Sequence, residues 1–419
     1  MLDTPTASPT MHSLSAASFE PDERAVRGSN HSGMRQFNER TVLQAIRLHG
    51  AIAKADLARL TQLSSQTVSV IVSRLLDDGL LLKQERVRGR IGQPSVPLAL
   101  NPDGAISVGV QVGRRSLEVL ACDFVGRVRH RHEFHYDFPD PQRVLPCIAE
   151  GLARLQQQLG GLWARVVGLG LSSPLSMEKW SSVLGSQAHG ALAGWEHLDL
   201  RREVEALTHL PVSFAKDTTA ACVAELLQGH GTAVRSFLYI FVGTFVGGGL
   251  VMSGHIATGQ HGNAGAIGSL PVGLARGGES PPQLLEVASG WQLEQALLQA
   301  GLDPQQVQQD DIVGPRFAAL VEPWLEQAGL ALAMTTASAA AMLDLDAVIV
   351  DGSLARPLID ALIERTRRRL AFYRFDGMHA PALLAGRVGA HARALGGALL
   401  PLHTQFFPDK DIFLKPSLG

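Results

Sequence analysis

The stretch KADLARLTQLSSQTVSVIVSRLLDD, residues 54–78, decides how the N-terminal part of the chain folds. Leu57, Ala58 and Leu60 fall on the inward face of a helix over Lys54–Thr61. Gln62, Leu63 and Ser64 make a short turn. Ser64 or Ser65 caps the next helix, because a serine oxygen accepts a hydrogen bond from the free amides of a first turn. That helix runs to about Asp78. Val68, Ile71, Val72 and Leu75 recur at three- and four-residue spacing and form its buried stripe. Gln66, Thr67, Ser69, Val70, Ser73 and Arg74 are left facing solvent. Upstream, Gln36–Leu48 is a first helix with Val42, Leu43 and Ile46 inward and Gly50 as its stop. Downstream, Leu80–Leu82 begins a strand and Val96–Leu100 returns it. Between them Arg86-Val87-Arg88-Gly89-Arg90-Ile91-Gly92-Gln93 forms a basic, glycine-containing tip.

Three helices followed by a basic hairpin read as a winged helix-turn-helix. Short polar side chains near the start of the third helix suit the major groove of DNA, and cations suit phosphates. The candidate DNA contacts are Ser64, Ser65, Gln66, Thr67, Ser69 and Arg74 on the helix, with Arg88 and Arg90 on the wing. A plain three-helix scaffold has the same apolar stripe. The polar face and the Arg-Gly-Arg tip are what favour DNA.

Charge supports this division. Residues 34–100 carry ten Lys/Arg and five Asp/Glu, a surplus of +5. The whole chain of 419 residues has a net charge of −2, which leaves −7 for the remainder. A basic module on an acidic body suits a DNA-binding head with a regulatory partner domain. The length calls for two or three domains. Residues 1–33, rich in Ser, Thr, Ala and Pro, read as a disordered tail, with Met34 a candidate start of the ordered chain. The head spans 34–103 and the body 104–419, divided at the turn Asn101-Pro102-Asp103-Gly104. The three cysteines, Cys122, Cys147 and Cys222, form no metal or disulfide pattern and suit a reducing cytosol. Met1–Thr10 lacks a signal-peptide pattern. The uncharged run Gln327–Leu343 is short for a membrane span and reads as a buried Ala-rich helix. A cytoplasmic protein with no membrane partner is expected.

In the body, Ile106–Val112, Leu117–Cys122, Val166–Leu171, Phe237–Val242 and Ala347–Val350 are strand-like runs alternating with helical stretches, an α/β pattern. The 43 glycines suggest many tight turns between them. Several segments carry a resemblance. They include Ala51-Ile52-Ala53-Lys54-Ala55-Asp56-Leu57-Ala58 and Gly89-Arg90-Ile91-Gly92-Gln93-Pro94-Ser95 in the head. In the body they are Gly194-Trp195 with Asp199-Leu200, Phe214 to Glu225, Gly243 to Leu250, Asn263 to Ser269 and Leu284 to Gly290. In order and spacing this resembles the ROK family of repressors, open reading frames and kinases, over about residues 34–405. The resemblance implies an actin-like, hexokinase-like (RNase H-like) body of two α/β lobes with a sugar cleft between them. It also implies a homodimer or homotetramer.

The departures from that family weigh against catalysis. Where a ROK kinase has D-x-G-G-T, this chain has Gln111-Val112-Gly113-Arg114-Arg115. The carboxylate is missing and two cations crowd the turn. Phe245 replaces a glycine of the second phosphate loop, and Gly247, Gly248 and Gly249 are read as a structural turn. ATP binding is not expected, and no catalytic residue or cofactor is assigned. Ser269 stands in place of a zinc-binding histidine, and Gly273–Gln283 has no cysteine, so no metal is expected and packing must hold that loop. Of the family's sugar ligands Asp217 and Glu286 remain. Lys216 replaces an asparagine, Ala266 a glutamate and Ser269 a histidine. Lys216, Asp217 and Glu286 are the candidate effector contacts, and Lys216 suits an anionic group. The bland alternatives are a helix cap for Asp217 and a helix surface for Glu286. The function implied is a transcriptional regulator binding a double-stranded operator, a repressor of carbohydrate uptake or catabolism that answers to a sugar or sugar derivative. The alternatives are a sugar kinase with a fused DNA-binding head and a regulator without an effector.

Overall fold

The computed structural model of the protein describes residues 31–85, 96–175, 177–180, 186–275 and 277–408. Its first helix, α1 (His31–His49), begins three residues before Met34 and five before the expected start at Gln36. The rest of the proposed tail lies outside the described residues. Helices α2 (Lys54–Thr61) and α3 (Ser65–Asp77) follow. Val42, Ile46, Leu57, Val68, Val72 and Leu75 are buried between the three. Ser64, not Ser65, caps α3, its Oγ accepting from the Thr67 amide at 3.1 Å. Replacing Ser64 with alanine leaves that amide unpaired and is expected to destabilise the head by about 1 kcal/mol, read as a fall in thermal midpoint. Strand β1 (Leu81–Lys83) pairs antiparallel with β2 (Leu98–Leu100). The wing tip between them, with Arg88 and Arg90, lies outside the described residues.

Two five-stranded sheets build the body. The first lobe contains β3 (Ile106–Val112), β4 (Ser116–Asp123), β5 (Val128–His135), α4 (Pro141–Leu159), β6 (Val166–Ser173), α5 (Ser186–Ala193), α6 (Leu200–Leu207) and β7 (Val212–Lys216). Helix α7 (Asp217–Gln228) leads to the second. That lobe contains β8 (Phe237–Val242), β9 (Val246–Met252), β10 (His255–Ala257), α8 (Leu284–Ala288), α9 (Gly290–Gln299) and α10 (Ala318–Leu343). β11 (Ala347–Gly352), α11 (Arg356–Leu370), β12 (Ala382–Ala385) and finally α12 (Ala392–Phe406) complete it. The strand orders are β5-β4-β3-β6-β7 and β10-β9-β8-β11-β12. In each sheet the first strand lies at the centre, with two antiparallel strands on one side and two parallel on the other. The two lobes therefore repeat one topology. The central strands β3, β8 and β11 are buried along their whole length, which is why they read as unbroken apolar runs.

The Ala-rich run Gln327–Leu343 is the C-terminal part of α10, with Ala328, Leu332 and Ala333 buried. Among the described residues no helix is long and apolar enough to cross a membrane. Gly247, Gly248 and Gly249 do not form the expected turn. They lie inside β9, and their missing Cβ atoms let α7 and β8 approach. A Cβ on Gly247 would stand 2.8 Å from Thr218 Cγ2, and one on Gly249 2.6 Å from Cys222 Cβ.

Helix α12 leaves the second lobe and packs across β3 and β6 of the first, alongside α7. Glycine makes this possible, since a Cβ on Gly396 would overlap the Ala220 carbonyl and one on Gly170 the Gly397 carbonyl. The head sits on the far ends of these helices. Arg47 of α1 donates to the Leu227 carbonyl at 3.0 Å and lies over the Phe407 ring, 4.5 Å from its centre. Burial pulls its pKa down to about 10. Arg40 donates to the Phe407 carbonyl, and Arg165 of the first lobe to the Asp78 carbonyl. One apolar core runs unbroken from Val42 and Leu75 in the head, through Leu120, α7 and α12, to Tyr239 and Phe241 in the second lobe.

Candidate functional site

Two regions hold the residues singled out by sequence. On the head, α3 presents Ser65, Gln66, Ser69, Val70 and Ser73 to solvent. Ser64 and Thr67 share a hydrogen bond of 2.8 Å between hydroxyls, so both are partly committed to the cap. Arg74 is not a free cation on this face. It is ion-paired with Glu39 of α1 and ties the third helix to the first.

The second region is a cleft of about 740 Å³ between the lobes, a size that holds a small ligand. Lys216 and Asp217 enter it where β7 passes into α7. Asp217 is the first residue of that helix. Its Oδ1 accepts from the Thr218 amide at 2.8 Å, while Oδ2 lies 3.5 Å from Nη1 of Arg393 on α12. Lys216 Nζ donates to Asn263 Oδ1 at 3.1 Å, and burial lowers its pKa. Ala266 and Ser269 also line the cleft.

Glu286 departs from expectation. It is exposed and is not among the residues lining the cleft. Its carboxylate accepts from the Gln283 amide at 2.8 Å in a capping box that starts α8, where four free amides need acceptors. The carboxylate is thus spent on the helix. The surrounding loop is closed by backbone, with Pro271 bridged antiparallel to Gln283 and the Val272 amide bonded to the Pro282 carbonyl. Among the described residues no group of three His, Cys, Asp or Glu side chains is placed to hold a metal ion.

The β3–β4 turn also borders the cleft. Arg114 has its guanidinium over Phe138 of the first lobe, at 5.3 Å, and over Trp291 of the second, at 5.2 Å. Burial, then the charge of Arg115, bring its pKa down to about 10. Arg115 donates to Glu294 of α9 at 2.8 Å, and Thr244 donates to the same carboxylate at 3.2 Å. Desolvation raises the pKa of Glu294, against the pull of both arginines. Phe245 packs 5.3 Å from Trp180 and 6.4 Å from Trp291. Arg114 and Phe245, which replace phosphate-loop positions, therefore approach the same Trp291 ring. Sequence reasoning marked these positions as losses. It did not find Arg393, which is 176 residues from its partner Asp217.

Profiles of known families fit both regions. A winged helix-turn-helix DNA-binding profile matches residues 38–81, and the ROK family profile matches residues 107–404. The chain belongs to the ROK family. This ROK chain is 26% identical over 376 residues to the uncharacterized protein y4fQ of Sinorhizobium fredii, covering 88% of this chain and 92% of that one. It is 23% identical over 244 residues to the xylose repressor of Caldicellulosiruptor bescii, covering 58% of this chain and 60% of the repressor. In fold it is similar to a solved ROK family transcriptional regulator, a homolog of the Escherichia coli MLC protein. The TM-score is 0.66 at 22% identity, over 89% of this chain and 98% of that one.

Proposed function

We propose that this ROK protein is a transcriptional repressor of carbohydrate uptake or catabolism genes. It binds a double-stranded operator through α3 and the wing, and a sugar or sugar derivative in a cleft that performs no chemistry. The observation that carries this reading is the course of α7 and α12. Both begin in the cleft, at Asp217 and beside Arg393, and both end against the head, where the Leu227 carbonyl and Phe407 receive Arg47. A 12-residue helix such as α7 is a rod of about 18 Å. A ligand that binds one arrangement of the lobes better than another shifts these rods, and with them the head. In a homodimer or homotetramer that shift changes the spacing of two heads. Half-sites on DNA must lie about one helical turn, or a multiple of it, apart. The similarity to a xylose repressor and the transcriptional-regulator fold agree with this reading.

The alternative, a sugar kinase with a DNA-binding head, needs an acidic residue where Gln111 stands. It also needs open backbone where Arg114, Arg115 and Phe245 crowd the turn. Over a regulator without an effector, the reading is supported by a cleft with room for a small ligand. The deciding experiment measures operator binding by fluorescence anisotropy across a sugar panel, with ATP turnover followed in parallel. A sugar-dependent change in operator affinity without turnover is expected. Turnover lost in Asp217→Asn would instead establish the kinase. The coupling has its own check. Arg47→Met is expected to keep operator affinity within a few-fold but to remove most of its response to ligand. An unchanged response would take Arg47 out of the path.

A further inference from the structure

Among the described residues, seven buried side-chain polar atoms lack a hydrogen-bond partner, and five of them belong to residues that line the cleft around the β3–β4 turn. They are Gln111 Nε2, Arg114 Nε, Arg115 Nε, Arg393 Nε and Glu118 Oε1. Buried groups of this kind are costly and rare, so a cluster of them marks a place where a partner belongs. Four of the five are N–H donors, three of them on guanidinium groups. Glu118 is partly served by its ion-pair neighbours His391 and Arg131. The donors are not. Gln111 is 2% exposed, and its amide nitrogen would lie 2.8 Å from a Cβ placed on Gly113, which sets it directly over the β3–β4 turn. Arg114 is held between two rings and has no carboxylate within ion-pair distance among the described residues.

The donors decide what the partner is. A hydroxyl oxygen accepts at most two hydrogen bonds and must also place its own proton. A phosphate or carboxylate has several lone pairs, donates nothing when ionised, and is the natural mate of guanidinium groups. We propose that this part of the cleft is an oxyanion subsite. Gln111, Arg114, Arg115 and Arg393 receive a phosphate or carboxylate group carried by the ligand. The inference rests on reading the cleft as an effector site, and it names the chemical class of that effector. Side chains here do what backbone amides do in a glycine-rich phosphate loop. Gln111 lies in β3 of the first lobe, Arg393 of α12 has its guanidinium 5.0 Å from the centre of the Phe241 ring of the second, and Arg114 and Arg115 reach Trp291 and Glu294 of the second. A bound anion therefore engages groups from both sides of the junction between the lobes.

The test uses the full chain in a buffer free of phosphate and carboxylate. Thermal unfolding and calorimetry are run with inorganic phosphate and with a panel of aldoses. Each aldose is paired with its phosphate ester and its uronic acid, so that ester, acid and free phosphate are distinguished. At least one anion is expected to raise the thermal midpoint and to bind at least tenfold more tightly than its neutral parent. Gln111→Leu and Arg114→Gln, checked for wild-type operator binding, are each expected to reduce that preference tenfold or more. Neutral sugars binding as well as their anions, or an anion preference untouched in both variants, would overturn the subsite and leave the regulator reading standing. No ligand of either kind, with operator binding intact, would overturn the subsite and the effector together.

Discussion

Gly396→Val is expected to destabilise the body by at least ~3 kcal/mol, enough to lose cooperative folding at moderate temperature. The first atom of any side chain at this position would occupy the space of the Ala220 carbonyl on α7. Overpacking usually costs ~1–3 kcal/mol where side chains can turn aside. Here the obstacle is backbone, and the interior around it is already close-packed. Helix α12 would have to lift from α7, and with it from the Gly170–Gly397 contact against β6. Denaturant unfolding followed by circular dichroism measures the effect. Gly190→Ala is the control, because Gly190 lies on α5 with nothing within 4 Å of its added methyl. That change should leave stability equal or up to ~1 kcal/mol higher. A Gly396→Val protein as stable as the wild type would mean that α7 and α12 do not cross as described.

Ser69→Glu carries the largest expected effect on DNA binding. Ser69 is exposed on α3, on the face that also presents Gln66, Val70 and Ser73. Glutamate is at least as good a helix former as serine, so the fold is not perturbed. Its charge would stand against the phosphates and the acceptor-rich floor of the groove. Operator affinity is expected to fall about 100-fold, or ~2.7 kcal/mol, with an unchanged thermal midpoint. Anisotropy at two salt concentrations reads it. Full affinity in the variant would remove α3 from the groove.

Legibility in the sequence followed packing. The stripe of α3 was readable because one face is buried and the other is not. The central strands were readable because both faces are. Edge strand β5, Val128-Arg129-His130-Arg131-His132-Glu133-Phe134-His135, is half exposed along its length and gives no apolar run. The glycines of β9 suggested a turn, because glycine is common there, but their use is close approach by α7 and β8. In the cleft, Lys216 and Asp217 were legible from a motif that a helix start holds in place. Glu286 misled because a family position does not say which way a carboxylate faces, and a capping box claims this one. The orphaned donors of Gln111 and Arg393 arise from strands and helices far apart in sequence, so no local pattern announces them.

The unbroken core between head and body bears on how such regulators diversify. Val42 and Leu75 share one apolar cluster with α7, α12 and the second lobe, and Arg47 donates a hydrogen bond to the Leu227 carbonyl of the body. The DNA-reading part is therefore not a detachable cassette. A chimera joined at the Asn101–Gly104 turn would expose apolar surface on both fragments and leave the Leu227 carbonyl unanswered. New operator specificity is then more accessible by point changes on the exposed outer face of α3 than by exchange of whole heads.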